Sequence, residues 1–296
     1  MPVILAANGL IYKAFLCLPF CAILKRRKLL IFLVFAGLFQ KAAGFGAAPR
    51  RKGCEPMPAT IDDLLSRVRA AVQRYDMIAP GDHVAVGVSG GKDSVLLLVL
   101  LARLRRFYPV PFTLTAITLD PGFSGGEGDY SAVAALCEEL EVPYVLRRTR
   151  LYEVVFEQRR ESNPCSLCAR MRRGALHKAA GECGCNVAAL GHHQDDAAET
   201  LLMNLLSGGT LGCFSPKTWL DRRELTLIRP MVFLKETEIT ACVRREGLPV
   251  VKSRCPVDGC TNRQQTKQLI AELEKTYGAV PEKLIGAMQK QGLSGW

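Results

Sequence analysis

The stretch HVAVGVSGGKDSVLLLVL, residues 83–100, decides the fold of this chain. Val84, Val86 and Val88 are β-branched and apolar, as in a buried strand, whereas the residues from Val95 onward are mostly good helix formers. The segment SGGKDS, residues 89–94, interrupts the apolar run between them. The stretch therefore predicts a strand, a tight loop and a helix, in that order.

The SGGKDS segment has the residue types of an anion-binding loop. Gly90 and Gly91 let the backbone approach a ligand closely, and the helix that follows directs unpaired N–H groups and its positive dipole end at the same place. Lys92 adds a cationic donor and Ser94 a hydroxyl, while Asp93 could hold Mg²⁺. The alternative is a glycine-rich turn that only joins a strand to a core helix, which does not explain the polar residues around the glycines.

The spacing within this loop excludes one phosphate-binding motif and fits another. A Walker A loop needs a four-residue spacer between its two glycines, and that spacer is missing here. The loop resembles instead the SGGKDS loop of the PP-loop ATP pyrophosphatases. That resemblance implies cleavage of ATP between its α- and β-phosphates and transfer of AMP to a substrate oxygen.

Charge and cysteine content limit which partners the protein can have and in which compartment it can work. The chain of 296 residues has a net charge of +11, but residues 1–56 carry nine Lys/Arg against one acidic residue, which leaves residues 57–296 at +3. A nucleic-acid surface must therefore come from local basic clusters rather than from a general field. Twelve cysteines beside a nucleotide-type loop indicate a reducing compartment, in which grouped cysteines bind metal or take part in sulfur chemistry.

Residues 1–56 are expected to lie outside the fold. Two apolar runs of about eleven residues, 14–24 and 29–39, flank the sequence KRRK, and each is too short for a spanning helix, which needs ~20 residues. The segment could be a secretory signal, a membrane-associated hairpin or an upstream extension of the reading frame. Because export would separate an ATP-dependent enzyme from its ATP, we favour the third explanation, with Met57 as the true start, a cytoplasmic location and no membrane association.

The rest of the chain is expected to divide into three parts. Residues 57–82 contain an amino-terminal helix that Thr60 can cap, residues 83–232 form the nucleotide-binding domain, and residues 233–296 form a helical carboxyl-terminal segment. Strands that alternate with helices predict βαβ units and an α/β, Rossmann-like fold with a mostly parallel sheet. Residues 151–164 are expected to form a loop.

Polar residues are predicted to gather at one edge of this sheet. Ligands of parallel sheets bind beyond the carboxyl ends of the strands, where the SGGKDS loop, Asp120 and Gly191 are all expected to lie. Gly191 opens the sequence GHHQDD, which leads into a further helix, so that Asp195 and Asp196 lie at a helix start, where the dipole favours a carboxylate. Plain N-capping explains one aspartate but not two aspartates after two histidines.

The cysteines separate into a motif and a background. Cys165 and Cys168 form a CxxC motif at a helix start, where the dipole and nearby arginines are expected to lower a thiol pKa. Structural zinc, with Cys255 and Cys260 as further ligands, a redox dithiol and an iron–sulfur cluster are the alternatives. The remaining cysteines of the folded part are interpreted as small buried apolar residues: Cys137, Cys183, Cys185, Cys213 and Cys242.

The motifs taken together resemble one family. SGGKDS, CSLCARMRRG, LGHHQDDAAETLLMNLLSGG, IRP and a single cysteine before the last helices occur in this order in the tRNA 2-thiocytidine synthetases, the TtcA family of PP-loop proteins. The similarity extends from Met57 to Trp296. The paralogous tRNA 2-thiouridine enzymes carry terminal zinc-finger cysteine sets, and such CxxC pairs are missing from both ends of this sequence.

The resemblance implies a reaction and its cofactors. ATP adenylylates C2 of a cytidine, position 32 in the anticodon loop of tRNA, and sulfur then replaces the oxygen. Three cysteines hold a [4Fe–4S] cluster whose fourth iron is open, and by position they are Cys165, Cys168 and Cys255. The sequence CPVDGC departs from the tighter cysteine pair of the family, so Cys260 is an alternative third ligand.

The implied roles cover most of the polar residues at the predicted sheet edge. Catalysis is assigned to Lys92, Asp93, Cys165, Cys168 and Asp196, with Asp93 and Asp196 as Mg²⁺ ligands. The residues expected to bind ATP are Ser89, Gly90, Gly91, Lys92, Asp93, Ser94, Asp120, Gly191, His192 and Asp195.

Arginines supply the predicted contacts to RNA phosphates. The candidates are Arg170, Arg172 and Arg173 beside the CxxC motif, together with Arg147, Arg148 and Arg150, although each could equally belong to a solvated face. Besides tRNA, the expected partners are a sulfur donor such as a cysteine desulfurase and a second copy of the chain. The alternatives are a tRNA 2-thiouridine synthetase, another adenylylating ligase with a structural zinc, and a non-catalytic module that binds nucleotide and RNA.

Overall fold

The structure is a computed structural model that describes residues 59–123, 126–159, 164–257 and 262–296. These residues belong to one unit, Met57–Trp296. The predicted extension, residues 1–56, and the alternative ligand Cys260 lie outside the described residues. No helix in the described ranges combines the length and the apolar character that crossing a membrane requires.

A six-stranded sheet with the order β3-β2-β1-β4-β6-β5 organises the fold. All neighbouring pairs are parallel except β5 and β6, which pair antiparallel at one edge. This arrangement confirms the predicted α/β fold, although the short edge strand β5 was not expected from the sequence. The strands are β1 His83–Gly87, β2 Thr113–Asp120, β3 Tyr144–Arg148, β4 Val187–Ala189, β5 Lys217–Leu220 and β6 Leu225–Ile228.

Helices cover both faces of the sheet. Alternate residues of β1 point to opposite sides: Val84 and Val86 pack into the larger apolar cluster, and Ala85 packs into a second cluster with α4. The α-helices are α1 Ile61–Arg74, α2 Lys92–Arg105, α3 Ser131–Glu139, α4 Pro164–Glu182, α5 Gln194–Gly208, α6 Glu236–Arg245, α7 Asn262–Tyr277 and α8 Val280–Gln291.

Two helices show how the sequence determines local structure. Thr60 caps α1 as predicted, because its hydroxyl accepts a hydrogen bond from the Asp63 amide at 3.2 Å and the Asp63 carboxylate accepts one from the Thr60 amide at 2.8 Å. The helix α2 is buried almost all round from Ser94 to Leu104, in keeping with its continuous apolar sequence. Burial fixes α2 in the centre of the molecule and thereby the loop at its start.

The prediction of a loop over residues 151–164 is wrong for residues 151–159 and for Pro164, and its residues 160–163 lie outside the described ranges. Leu151 and Tyr152 begin a helical segment that continues as a π-helix over Glu153–Arg159, and α4 begins at Pro164. The segment is fastened by a hydrogen bond from the Tyr152 amide to the Pro121 carbonyl at 2.9 Å, and the Tyr152 ring stacks on Phe156 with centroids 5.2 Å apart. These tertiary contacts stabilise a helix that the sequence alone did not indicate.

The carboxyl-terminal helices pack on α5. Ala198 of α5, Ile270 of α7 and Val280 of α8 form a small apolar cluster. Beside it lies Glu199, whose side chain is 6% exposed and has Arg263 Nε at 3.7 Å. Burial raises the pKa of Glu199 to about 7, and the nearby Asp196 adds to the increase, whereas Arg263 opposes it. The junction between α5 and α7 thus contains a carboxyl group that folding makes harder to ionise.

This shift predicts a pH-dependent stability. Between pH 4.5 and pH 7 the unfolded Glu199 is ionised while the folded one keeps its proton, so the folded state binds more protons and loses stability as the pH rises through that window. We expect the free energy of unfolding of Glu199→Gln to rise by on the order of 3 kcal/mol relative to that of the wild type as the pH increases from 4.5 to 8. Denaturant unfolding of both proteins at several pH values measures the difference, and a pH-independent difference would contradict it.

Candidate active site

The SGGKDS loop joins β1 to α2 and is held by the Ser94 side chain. The Ser94 Oγ accepts a hydrogen bond from the Ser89 amide at 3.0 Å and donates one to the Gly91 carbonyl at 2.9 Å. Ser89 Oγ accepts a bond from the Gly91 amide at 3.3 Å. The two serines therefore set the curvature of the loop, in addition to any contact they make with a ligand.

Gly90 lies where no other residue fits well. Its φ is +83°, and an added Cβ would come within 2.8 Å of the Val251 Cβ. The Val251 amide donates a hydrogen bond to the Gly90 carbonyl at 2.9 Å. The segment that follows α6 is thus fastened directly to the loop, only four residues before Cys255.

Two of the predicted site residues lie at or just after the carboxyl ends of the strands that flank β1. Asp120, at the end of β2, is 3% exposed, and its carboxylate accepts bonds from the amides of Gly122 at 3.0 Å and Gly128 at 2.9 Å. Gly191 follows β4, and a Cβ there would lie 3.2 Å from the backbone of Asp93 and Ser94. Asp120 therefore organises the loop after β2, while Gly191 permits close packing on the start of α2.

Lys92 is held between two carboxylates. Its Nζ lies 2.9 Å from Asp93 Oδ1 and 3.2 Å from Glu236 Oε1 at the start of α6. Burial alone lowers the pKa of Lys92, but Asp93 and Glu236 outweigh that effect and leave the pKa above its ordinary value. Lys92 is therefore charged at neutral pH and can bind an anion.

The pKa values of the two histidines before α5 are shifted in opposite directions. Burial lowers the pKa of His192 to about 4, so its ring is neutral at pH 7. Burial also acts to lower the pKa of His193, but the carboxylates of Asp195, Asp196 and Asp93 outweigh it and raise the pKa. His193 Nδ1 lies 3.5 Å from Asp195 and its Nε2 lies 3.4 Å from Asp196, which are ion-pair distances.

The two aspartates of GHHQDD have different neighbours. Asp195 accepts a hydrogen bond from the Glu236 amide at 2.8 Å, so its carboxylate caps α6. Asp196 accepts one from the His193 amide at 3.0 Å, and its other oxygen lies 2.6 Å from Arg263. Of the two, Asp196 is the one that faces the cavity described next.

The loop, the β4 end and α4 enclose a cavity of about 590 Å³. Its floor is apolar and includes Ile117, Leu119, Leu176 and Leu190. The predicted site residues along its wall are Ser89, Gly91, Asp93, Ser94, Gly191, His192 and Asp196. A polar rim over an apolar floor is the usual arrangement of a small-molecule site.

Two arginines of this cavity, Arg229 and Arg263, were not predicted from the sequence. Arg229 follows β6 within the sequence IRP, which is part of the family resemblance but was given no role. Arg263 begins α7 and reaches Asp196 across a long sequence separation, so no local pattern could have identified it. It occupies one oxygen of the carboxylate that was predicted to bind Mg²⁺.

The CxxC motif lies in the first turns of α4, the helix that lines the cavity with Ala169, Arg172 and Arg173. Cys165, Cys168 and Cys255 are half-buried free cysteines. Burial raises the pKa of Cys168, Arg172 lowers it, and charge on Cys255 and Cys165 raises it further. The expectation of a lowered pKa is therefore wrong for Cys168, because burial outweighs the arginine.

No set of three His, Cys, Asp or Glu side chains in the described ranges is already arranged as a metal site. Cys260, a member of the alternative four-cysteine zinc set, lies outside those ranges. Of the background cysteines, Cys137, Cys185 and Cys242 are buried as predicted, whereas Cys183 and Cys213 are only half-buried.

The arginines proposed as RNA contacts differ in placement. Arg172 and Arg173 line the cavity, whereas Arg170 is exposed on α4 outside it. Ion pairs hold the other three: Arg147 with Glu182 at 3.2 Å, Arg148 with Glu127 at 2.5 Å and Arg150 with Glu153 at 2.5 Å. Exposed ion pairs of this kind contribute little to stability, so these arginines can leave their carboxylates and bind a phosphate instead.

Comparison with known proteins gives a consistent result. Residues 64–266 match the PP-loop domain family. A tRNA-cytidine(32) 2-sulfurtransferase of Pelobacter propionicus is 43% identical over 246 residues, covering 79% of this chain and 91% of the relative. The protein of the same name from Geobacter sulfurreducens is 43% identical over 228 residues, covering 76% and 88%.

A solved structure shares the fold. The U34-tRNA thiolase NcsA from Methanococcus maripaludis, with its [4Fe-4S] cluster, is 23% identical and superposes with a TM-score of 0.62 over 78% of this chain and 79% of that one. The family resemblance of the motifs is confirmed by the sequence relatives. The chain belongs to the tRNA-cytidine(32) 2-sulfurtransferase family of PP-loop proteins.

Proposed function

We propose that this protein is an ATP-dependent tRNA thiolase that converts cytidine 32 of the anticodon loop to 2-thiocytidine. One observation carries the proposal: the SGGKDS loop and the helix that carries the CxxC motif open on the same cavity. The names of the sequence relatives support the substrate and the product. An ATP site and a sulfur site next to each other are what this reaction needs.

The first chemical task is to make the C2 oxygen of cytidine a good leaving group. That oxygen attacks the α-phosphate of ATP, and pyrophosphate departs. The Gly90 and Gly91 amides, the start of α2 and the charged Lys92 stabilise the negative charge on the pyrophosphate. Asp93 and Asp196 would hold a Mg²⁺ ion, which would add positive charge there, while Asp120 and Asp195 shape the surrounding loops.

The apolar floor of the cavity suits the purine of ATP. Ile117 and Leu119 of β2, Leu176 of α4 and Leu190 after β4 offer apolar side chains to the cavity. His192 is neutral and faces the same space, so it can exchange hydrogen bonds with the nucleotide or the activated base without introducing charge. ATP is thereby placed with its phosphates on the loop and its base over the floor.

The second task is delivery of sulfur to C2 with release of AMP. The three thiols of Cys165, Cys168 and Cys255 have the chemistry of an iron–sulfur ligand set, and the charge interaction of Cys168 with both other thiols supports their grouping. These three cysteines would hold a [4Fe–4S] cluster, which would supply an iron able to bind sulfide. The [4Fe-4S] cluster of the solved thiolase NcsA supports this assignment.

The proposal includes the partners and the location of the protein. A sulfur donor such as a cysteine desulfurase supplies the sulfur, Arg170, Arg172 and Arg173 contact the RNA backbone, and the chain acts as a homodimer. Because tRNA and ATP meet in the cytoplasm, the reaction takes place there.

Nucleoside mass spectrometry tests the proposed reaction. We expect tRNA from a strain that lacks this gene to lose 2-thiocytidine and to regain it when the wild-type gene is restored. Normal 2-thiocytidine in the deletion strain would contradict the proposal. Loss of a 2-thiouridine instead would identify the protein as a uridine enzyme.

Substitution of the CxxC motif tests the cluster. We expect Cys165→Ala, purified without oxygen, to lose iron and acid-labile sulfide together with thiolation, because one of three ligands is removed. Cys183→Ala, at the opposite end of α4 and also half-buried, is the matched control and should keep both. Wild-type protein without iron, or full thiolation by Cys165→Ala, would contradict the assignment.

Gly90→Ala tests the loop geometry. The added methyl group meets Val251 at 2.8 Å, and the positive φ costs a further ~1–2 kcal/mol. We expect a loss of ATP affinity of at least about tenfold, as measured by equilibrium binding. Gly81→Ala is the control, since Gly81 has the same φ of +83° but nothing within 4 Å. Equal ATP affinities of the two variants would show that the close approach to Val251 is unimportant.

A further inference from the structure

Arg229 is a buried cation at the inner end of the cavity. Its side chain follows β6, and the residue is 8% exposed. The guanidinium donates hydrogen bonds to the Ser215 carbonyl and, at 3.5 Å, to Thr218 Oγ1. Its Cζ lies 4.9 Å from the centre of the Phe214 ring. These contacts fix the position of the side chain but supply no negative charge.

The charge of Arg229 has no counter-ion in the described part of the chain. Its Nε is buried without a hydrogen-bond partner, and no carboxylate of the described residues forms an ion pair with it. Burial lowers the pKa of Arg229 to about 10; the Cys213 thiol opposes this decrease, and the nearby Arg173 contributes to it. Because burying an unpaired charge is costly, this arrangement indicates an anion that is present only when a ligand is bound.

A second partnerless group lies beside it. His192 packs on Phe214 with ring centroids 5.0 Å apart, and its Nδ1 is buried without a hydrogen-bond partner. The neutral ring can donate one N–H bond. His192 and Arg229 both line the cavity and both pack on Phe214, so the two side chains lie close together there.

Two arginines of α4, Arg172 and Arg173, line the same cavity. Arg173 is exposed and contributes to the lowered pKa of Arg229. The triphosphate of ATP already has donors of its own in the loop, at Lys92 and at the start of α2. A phosphate that enters along α4 is therefore the ligand that fits Arg229.

We propose that Arg229, assisted by His192 and Arg173, binds a backbone phosphate of the RNA strand next to the nucleotide to be modified. This inference rests on the proposed function, which supplies RNA as the substrate. Since a loop nucleotide must leave its stack to reach the cavity, a buried phosphate contact would hold the strand in that position. Arg229 thus anchors the substrate, and the chemistry stays with the loop and the cysteines.

Direct binding measurements test the role of Arg229. Full-length wild type, R229Q, R229K and R105Q are titrated with an unmodified tRNA transcript at several salt concentrations, and separately with ATP. R105Q is the matched control, because Arg105 also donates to backbone carbonyls, those of Leu140 and Glu141, but lies at the far end of α2. Thermal unfolding of each variant shows whether it is folded.

We expect R229Q to bind tRNA about tenfold to a hundredfold more weakly and ATP with unchanged affinity. The slope of log Kd against log salt concentration should fall by about 0.7 to 0.9, as for one lost phosphate contact. R229K keeps the charge without the fork, so it should retain the slope with reduced affinity, and it replaces R229Q if that variant does not fold. R105Q should match the wild type.

Three results would overturn the role of Arg229. The first is unchanged tRNA binding by folded R229Q. The second is weakened binding of ATP but not of tRNA, which would assign the phosphate to ATP. The third is equal weakening of both ligands together with a lower Tm, which would indicate a structural role. Failure of the wild-type protein to bind tRNA would contradict the proposed function itself, whereas equal affinities of wild type and R229Q contradict only this inference.

Discussion

The backbone contact between Gly90 and Val251 is the constraint on which the rest of the site depends. A hydrogen bond of 2.9 Å and a glycine that leaves no room for a side chain bring the carboxyl-terminal segment against the ATP loop. The buried helix α2 fixes the end of the loop that precedes it, and the hydrogen bond from Val251 fixes Gly90 within the loop. As a result, residues from opposite ends of the folded chain share one cavity wall.

The sequence alone was sufficient for the strand, loop and helix at the centre of the fold. The valine-rich strand, the SGGKDS loop and the apolar helix predicted β1 and α2 because burial and glycine geometry act locally there. The strand ends at Asp120 and Gly191 were placed correctly because parallel strands bring their carboxyl ends to one edge. The π-helix at Glu153–Arg159 was missed, since its stability comes from packing on Pro121 and among aromatic rings rather than from a periodic pattern.

The candidate site was less accessible to sequence reasoning. Motifs named the residues but not their present partners: Asp195 caps α6, and Asp196 is paired with Arg263. Both partners lie far along the chain, and their approach depends on how α6 and α7 pack on the sheet and on α5. The sign of the pKa shift of Cys168 was also unpredictable, because it depends on burial that competes with the charge of Arg172.

Because Asp196 forms an ion pair with Arg263, cation binding at Asp196 competes with the contact that holds α7 on α5. A divalent cation that binds the carboxylate must displace the guanidinium, so metal affinity and the docking of α7 on α5 are thermodynamically linked. By reciprocity, whatever loosens α7 strengthens metal binding, and whatever secures α7 weakens it. Since Cys255 precedes α7 by only a few residues, this linkage would also couple the position of the segment around Cys255 to cation binding at Asp196.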